Sequence, residues 1–121
     1  MKKKTLIIDD NANNLTLEKD LLEVAGFEVV VAENATRGIA LARSERPDII
    51  IMDMRLPDMR GSDAAKILLQ DLATKDIPIV FVTASVLAEG IEEIKTIPNA
   101  AFVSKPINTR SFAADIARFL K

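Results

Sequence analysis

Three short apolar runs in this chain stop on a carboxylate or a hydroxyl, and a fourth stops on lysine. Leu6-Ile7-Ile8 leads into Asp9-Asp10, and Ile49-Ile50-Ile51-Met52 leads into Asp53. Ile79-Val80-Phe81-Val82 leads into Thr83, and Ala100-Ala101-Phe102-Val103-Ser104 leads into Lys105-Pro106. If the runs lie parallel, three acids, a hydroxyl and an ammonium meet at one edge of a sheet. Two adjacent acids repel, and a third beside them makes the cluster costly without a cation. Oxygen-only donors with room for water suit Mg2+ or Mn2+ better than calcium. Each residue alone has a plainer reading. Asp9-Asp10 fits a turn or helix cap, Asp53 an N-cap or a ligand only, and Thr83 an ordinary strand position. Lys105 alone would be a surface lysine before a proline turn.

Continuous β-branched runs of this length are strands buried on both faces, the mark of a parallel sheet. The fifth strand spans Glu28 to Ala32. Between the strands lie helical segments. Leu17, Leu21 and Val24 share a face, with Gly26 as the C-terminal stop. Asn34 caps a helix burying Ala35, Ile39 and Ala42, which Pro47 closes. Ser62 or Asp63 begins a third helix carrying Ala64, Ile67 and Leu68. A fourth runs from about Ser85 to Thr96, with Leu87, Ile91 and Ile94 opposite Glu89, Glu92 and Glu93, and with Gly90 weakening it by about 1 kcal/mol against alanine. Thr109 caps a fifth, where Phe112, Ile116 and Phe119 form the buried stripe.

Strands alternating with helices imply right-handed crossovers and a doubly wound α/β fold. The flavodoxin-like (βα)5 version, a five-stranded parallel sheet in order 2-1-3-4-5 with helices on both faces, puts strands 1 and 3 together at the switch point. Asp10 and Asp53 then meet just outside the carboxyl ends of the strands, where such sheets bind ligands.

The set Asp9-Asp10, Asp53 with Leu56-Pro57 and Gly61, Thr83-Ala84, and Lys105-Pro106 resembles the signature of response-regulator receiver domains, in order and in spacing. The resemblance spans essentially the whole chain, read as one receiver domain over 1–121. It implies that Asp53 accepts a phosphoryl group from the phosphohistidine of a histidine kinase or a histidine phosphotransfer protein. It also implies a divalent ion on Asp10, Asp53 and the Arg55 carbonyl, with Asp9 acting mainly through water. Lys105 then neutralises phosphoryl oxygens as a point charge, and Thr83 senses the phosphoryl group beside the small Ala84. Phe102 holds the place of an aromatic that swings inward when the threonine moves, against a plainer reading as core. The Lys105-Pro106 bond is expected cis, and the downstream partner is expected on the face of the fourth helix, fifth strand and fifth helix. Such a protein is a signalling switch that catalyses only its own phosphorylation and dephosphorylation, not an ordinary enzyme. Arg55 and Arg60 depart from the commoner residues at their positions and bear on phosphoryl lifetime and partner fit. Met52, Met54 and Met59 read as core and loop packing.

Composition narrows the field further. A chain of 121 residues buries roughly two-thirds of its unfolded surface. Its formal net charge of −2 offers no basic stripe for nucleic acid, and Lys2-Lys3-Lys4 fits a solvated entry to the first strand. With no cysteine and no histidine, thiolate sites, disulfides, histidine hydrolases and His-ligated zinc are excluded. No apolar stretch reaches the ~18 residues of a membrane span, and no signal peptide precedes the first strand, so a cytoplasmic location is expected.

Two rival classes fit less well. A metal-dependent aspartyl phosphatase of the haloacid-dehalogenase type needs a second acid where Arg55 stands. A flavin-binding flavodoxin-like module needs a Ser/Thr/Gly-rich loop where Asp9-Asp10-Asn11-Ala12-Asn13-Asn14 stands. A stand-alone regulator and a receiver belonging to a larger protein, such as a hybrid histidine kinase, both remain open.

Overall fold

The computed structural model describes residues 2–83 and 95–120. In chain order the elements are β1 (Lys4–Ile8), α1 (Ala12–Val24), β2 (Glu28–Ala32), α2 (Ala35–Glu45), β3 (Ile49–Asp53), α3 (Gly61–Leu69), β4 (Ile79–Thr83), β5 (Ala100–Ser104) and a C-terminal helix, α4 (Phe112–Arg118). All strand pairs are parallel, in the order β2-β1-β3-β4-β5. Four helices lie among the described residues. The helix expected over Ser85–Thr96 falls mostly outside them.

Alternation along the strands splits the core into two layers. Leu6, Ile8, Ile50, Met52, Ile79 and Phe81 face α2 and α3, meeting Ala35, Ile39, Ala42, Ala64, Ala65 and Leu68. Ile7, Ile49, Ile51, Val80 and Val82 face α1 and α4, meeting Leu15, Leu22, Phe112 and Ile116. Both sheet faces are therefore dry, which is why the strands are continuous apolar runs and not alternating ones. Met52 and Met54 are buried and Met59 packs against the first layer, as expected. At the start of β1, the Lys4 ammonium bridges Glu28 and Glu45 at 3.5 and 3.2 Å. None of the described helices is long and apolar enough to cross a membrane.

Three helix details differ from expectation. On α1 the buried stripe is Leu15, Glu18 and Leu22, while Leu17 and Val24 are exposed and Leu21 is half-buried. Asn11 caps the helix by accepting from the Asn14 N–H, and the phase set by that entry turns Leu15 and Leu22 onto the sheet. α3 starts at Gly61, before the expected Ser62 or Asp63, and buries Ala65 while Ile67 stays exposed. Its first turn is anchored by the Gly61 N–H donating to the Met54 carbonyl at 2.8 Å. That anchor fixes both its start and its rotation. Thr109 does not cap α4. The turn before that helix is organised by Asn108, whose side chain accepts from the Arg110 N–H and whose carbonyl accepts from Ser111 and Phe112. Phe112 and Ile116 form its buried stripe, with Phe119 packed partly against it.

The remaining caps follow the sequence. Asn34 accepts from the Arg37 N–H at the start of α2, and Arg46 ends it in the left-handed region, φ 47°, just before Pro47. Gly26, at φ 98°, turns the chain away from α1.

Candidate functional site

Because β1 and β3 are adjacent and parallel, with Ile8 opposite Met52, the residues that follow both strands emerge side by side. Asp9, Asp10 and Asp53 each bring a carboxylate oxygen within 4.8 Å of the others. Their exposure is graded. Asp9 is buried, Asp53 intermediate and Asp10 exposed, so the cluster opens outward through Asp10. Asp9 is fixed by accepting from the Asn11 N–H at 2.9 Å, and Asp53 by accepting from the Arg55 N–H at 3.1 Å. Burial pushes the Asp9 carboxyl above its ordinary range, and the Asp53 charge adds to that. The Asn11 N–H and the Lys105 ammonium pull the other way.

Lys105 reaches this cluster from the far side of the sheet edge. Its Nζ donates to Asp53 Oδ2 at 3.2 Å and lies 3.8 Å from Asp9 Oδ2. The Lys105–Pro106 peptide is cis, as expected. One ammonium thus faces three carboxylates, which leaves the site short of positive charge. The donor set is all oxygen, and that fits a hard divalent cation.

Thr83 ends β4 opposite Ser104, at the same sheet edge. Its hydroxyl and Ala84 lie outside the described part of the structure. Arg55 and Arg60 pair as an isolated antiparallel bridge, closing the loop between β3 and α3. Gly61 rests on the backbone of Asp53 and Met54, where a Cβ would overlap the Asp53 carbonyl oxygen. Phe102 is 38 % exposed on β5, so it is not plain core.

Apolar patterning missed one further acid. Glu18 is only 2 % exposed, in the middle of the α1 stripe. It makes no hydrogen bond or ion pair among the described residues, and burial together with Asp9 and Asp53 pushes its carboxyl up to about 7, against Lys105. The available signal was Leu15 and Leu22, seven apart with Glu18 between them on one helical face. Glu18 and Lys105 line a cavity of about 340 Å³ with Asn14, Leu17, Pro106 and Ile107.

Residues 5–117 match the family model of the response regulator receiver domain. The chain belongs to that family. A polar-differentiation response regulator, DivK, of Brucella anthropi is 36 % identical over 120 residues, covering 99 % of this chain and 98 % of DivK. The chemotaxis response regulator CheY4 of Vibrio cholerae superposes with a TM-score of 0.92 at 28 % identity, over 99 % of this chain and 100 % of that one. The receiver domain of the sensor histidine kinase PA1611 from Pseudomonas aeruginosa, whose structure has a magnesium ion coordinated in its active-site cleft, shares the fold at a TM-score of 0.89 and 24 % identity, over 98 % of each chain. The receiver is accordingly a phosphoryl-accepting regulator of two-component signalling and not an enzyme of the ordinary kind.

Proposed function

We propose that the receiver, a single domain over 1–121, takes its phosphoryl group on Asp53 from a partner phosphohistidine. The observation that carries this is the Lys105 ammonium on Asp53 Oδ2, in a cluster that already crowds Asp9 and Asp10 against the same carboxylate. An Asp53 oxygen attacks phosphorus, the P–N bond breaks, and its electron pair stays on the imidazole nitrogen. Lys105 turns from the carboxylate to a phosphoryl oxygen, so the charge it neutralises moves with the group transferred. A Mg2+ or Mn2+ ion held by Asp9, Asp10, Asp53 and the Arg55 carbonyl would neutralise further phosphoryl charge. Water later attacks the same phosphorus, which returns Asp53 and releases phosphate.

Thr83 takes the sensing role in this reading. The phosphoryl group biases a two-state equilibrium across the segment after β4, β5 and α4. Phe102, exposed on β5, offers an apolar contact to a downstream protein on that face. The upstream partner is a histidine kinase or a histidine phosphotransfer protein, and the reading carries a cytoplasmic location with it.

The test is labelling with a small phosphodonor such as acetyl phosphate. Wild type should form a base-labile phosphoprotein, and Asp53→Asn should form none. An Asp53→Asn variant labelled to the wild-type level would move the acceptor elsewhere.

A further inference from the structure

β2 ends the sheet on one side, so its outer edge has no neighbouring strand. Hydrogen-bond parity shows which groups face that edge. The Glu28 N–H donates to the Lys3 carbonyl at 2.9 Å, and the Ala32 carbonyl accepts from the Asp9 N–H at 3.1 Å. Backbone groups alternate in direction along a strand, so Glu28, Val30 and Ala32 direct theirs to β1 while Val29 and Val31 turn theirs outward. Edge strands are ordinarily guarded by a lysine, a proline or a bulge. Glu28-Val29-Val30-Val31-Ala32 contains none of these, and its register with β1 runs unbroken. Its one acid, Glu28, lies at the end of the strand and is already paired with Lys4 at 3.5 Å. Val31 is 38 % exposed, so neither α1 nor α2 closes over the edge there.

We propose that β2 pairs with β2 of a second copy of this chain, antiparallel about a two-fold axis at Val30. In that register Val29 lies opposite the partner's Val31, and Val31 opposite the partner's Val29. Each of those pairs exchanges both N–H···O bonds, using the outward groups that β1 does not engage. The exposed Val31 side chain packs against the partner's Val29, a β-branched cross-strand pair. Glu28 falls opposite the partner's Ala32, which keeps the two glutamates roughly 14 Å apart, beyond the ~8 Å Debye length at physiological salt. Val29-Val30-Val31 reads the same from either end, so the occupant this edge fits is its own copy. The joined sheet carries its two clusters of Asp9, Asp10 and Asp53 at opposite ends. Pairing therefore leaves both sites open, and the proposal does not rest on the role given to Asp53.

The chain has no cysteine, so a single introduced thiol can pair only with its own copy. Val30→Cys places two thiols directly opposite across the axis, at the ~4.5 Å Cα spacing of a non-hydrogen-bonded pair, within disulfide reach. It should form a covalent dimer under mild oxidation. Val31→Cys sits off the axis, with Cα atoms roughly 8 Å apart, and should cross-link far less. Sedimentation of wild type without phosphodonor should show a reversible dimer at high micromolar to millimolar concentration, the weak affinity of a small interface. Val31→Lys, at an exposed position, should weaken that dimer at least about tenfold. A monomer at every concentration, Val31→Lys sedimenting like wild type, or Val30→Cys failing to cross-link beyond Val31→Cys would each overturn the proposal. So would self-association that is lost in Phe102→Ser, which would put the interface on β5.

Discussion

Asp58 and Glu18 are both acids set against a helix, and the fold treats them in opposite ways. Asp58, in the loop between β3 and α3, reaches across to the first turn of α2. It accepts from the Ala35 N–H at 2.9 Å, from the Thr36 N–H at 2.8 Å and from the Thr36 hydroxyl. Those donors, the Thr36 hydroxyl first, hold its carboxyl down to about 2. With Asn34 accepting from the Arg37 N–H, the exposed start of α2 has its free N–H groups satisfied. Glu18 is buried in the middle of α1 and accepts no hydrogen bond among the described residues. A carboxylate surrounded by donors is a fastener. One deprived of them costs stability. The cluster of Asp9, Asp10 and Asp53 lies between the two: Asp9 and Asp53 accept from the Asn11 and Arg55 N–H groups and sit beside Lys105, yet one ammonium does not offset three carboxylates.

The largest effect that would break the contrast lies at Glu18. Its folded carboxyl is raised from 4.5 to about 7 by burial, so the folded state holds the proton more tightly than the unfolded chain does. The associated stability is complete below about pH 4.5, declines as pH rises towards 7 and stays low above it. Each pKa unit corresponds to about 1.4 kcal/mol, so Glu18→Leu should stabilise the protein by roughly 3 kcal/mol at pH 8 in EDTA. That gain should shrink towards zero near pH 4.5. Urea midpoints across this range check it, and a pH-independent difference would mean that Glu18 is solvated.

Asp10 sharpens the comparison at the next scale. In EDTA, Asp10→Ala should stabilise the protein by removing like charge, although ordinary substitutions cost about 1 kcal/mol. In Mg2+ the ranking should invert. A ligand that binds only the folded state contributes about 2.7 kcal/mol at a hundredfold excess over its dissociation constant, and the variant should lose most of that. If Asp10→Ala is less stable than wild type in EDTA, or gains as much from Mg2+, the three acids do not act together.

The smallest change is expected at Asp58, which is exposed. Its carboxyl is depressed, so its contribution is full above about pH 4 and fades as pH falls through about 2. Asp58→Asn should lower the urea midpoint modestly at neutral pH and match wild type near pH 2. Proteolysis in the Pro57–Arg60 loop should quicken at neutral pH. An unchanged midpoint at every pH would make the fastener irrelevant to the fold.

Much of this architecture was readable from residues alone, and the reasons are particular. Parallel strands all point the same way, so a run such as Ile49–Met52 ending on Asp53 states both a strand and the edge at which its acid emerges. Lys105 was readable for the same reason. Helices gave less, because two apolar stripes can coexist on one of them. Leu17, Leu21 and Val24 have helical spacing, yet the sheet takes Leu15, Glu18 and Leu22. Choosing between those stripes needs the angle at which Asn11 admits the chain, which periodicity does not contain. Asp58 was invisible because its donors lie 22 and 23 residues earlier and meet it only through the tertiary fold.

Gly61 contributes no functional group, yet it makes Asp53, the proposed acceptor, vulnerable to inheritance. Alanine, serine, valine or any other replacement brings a Cβ that meets the Asp53 carbonyl oxygen and the Met54 Cα, backbone atoms that have no rotamer to yield. The nucleotide changes that could alter this codon's residue therefore strike at the proposed phosphoryl site from behind, through a position that a catalogue of reactive side chains would pass over.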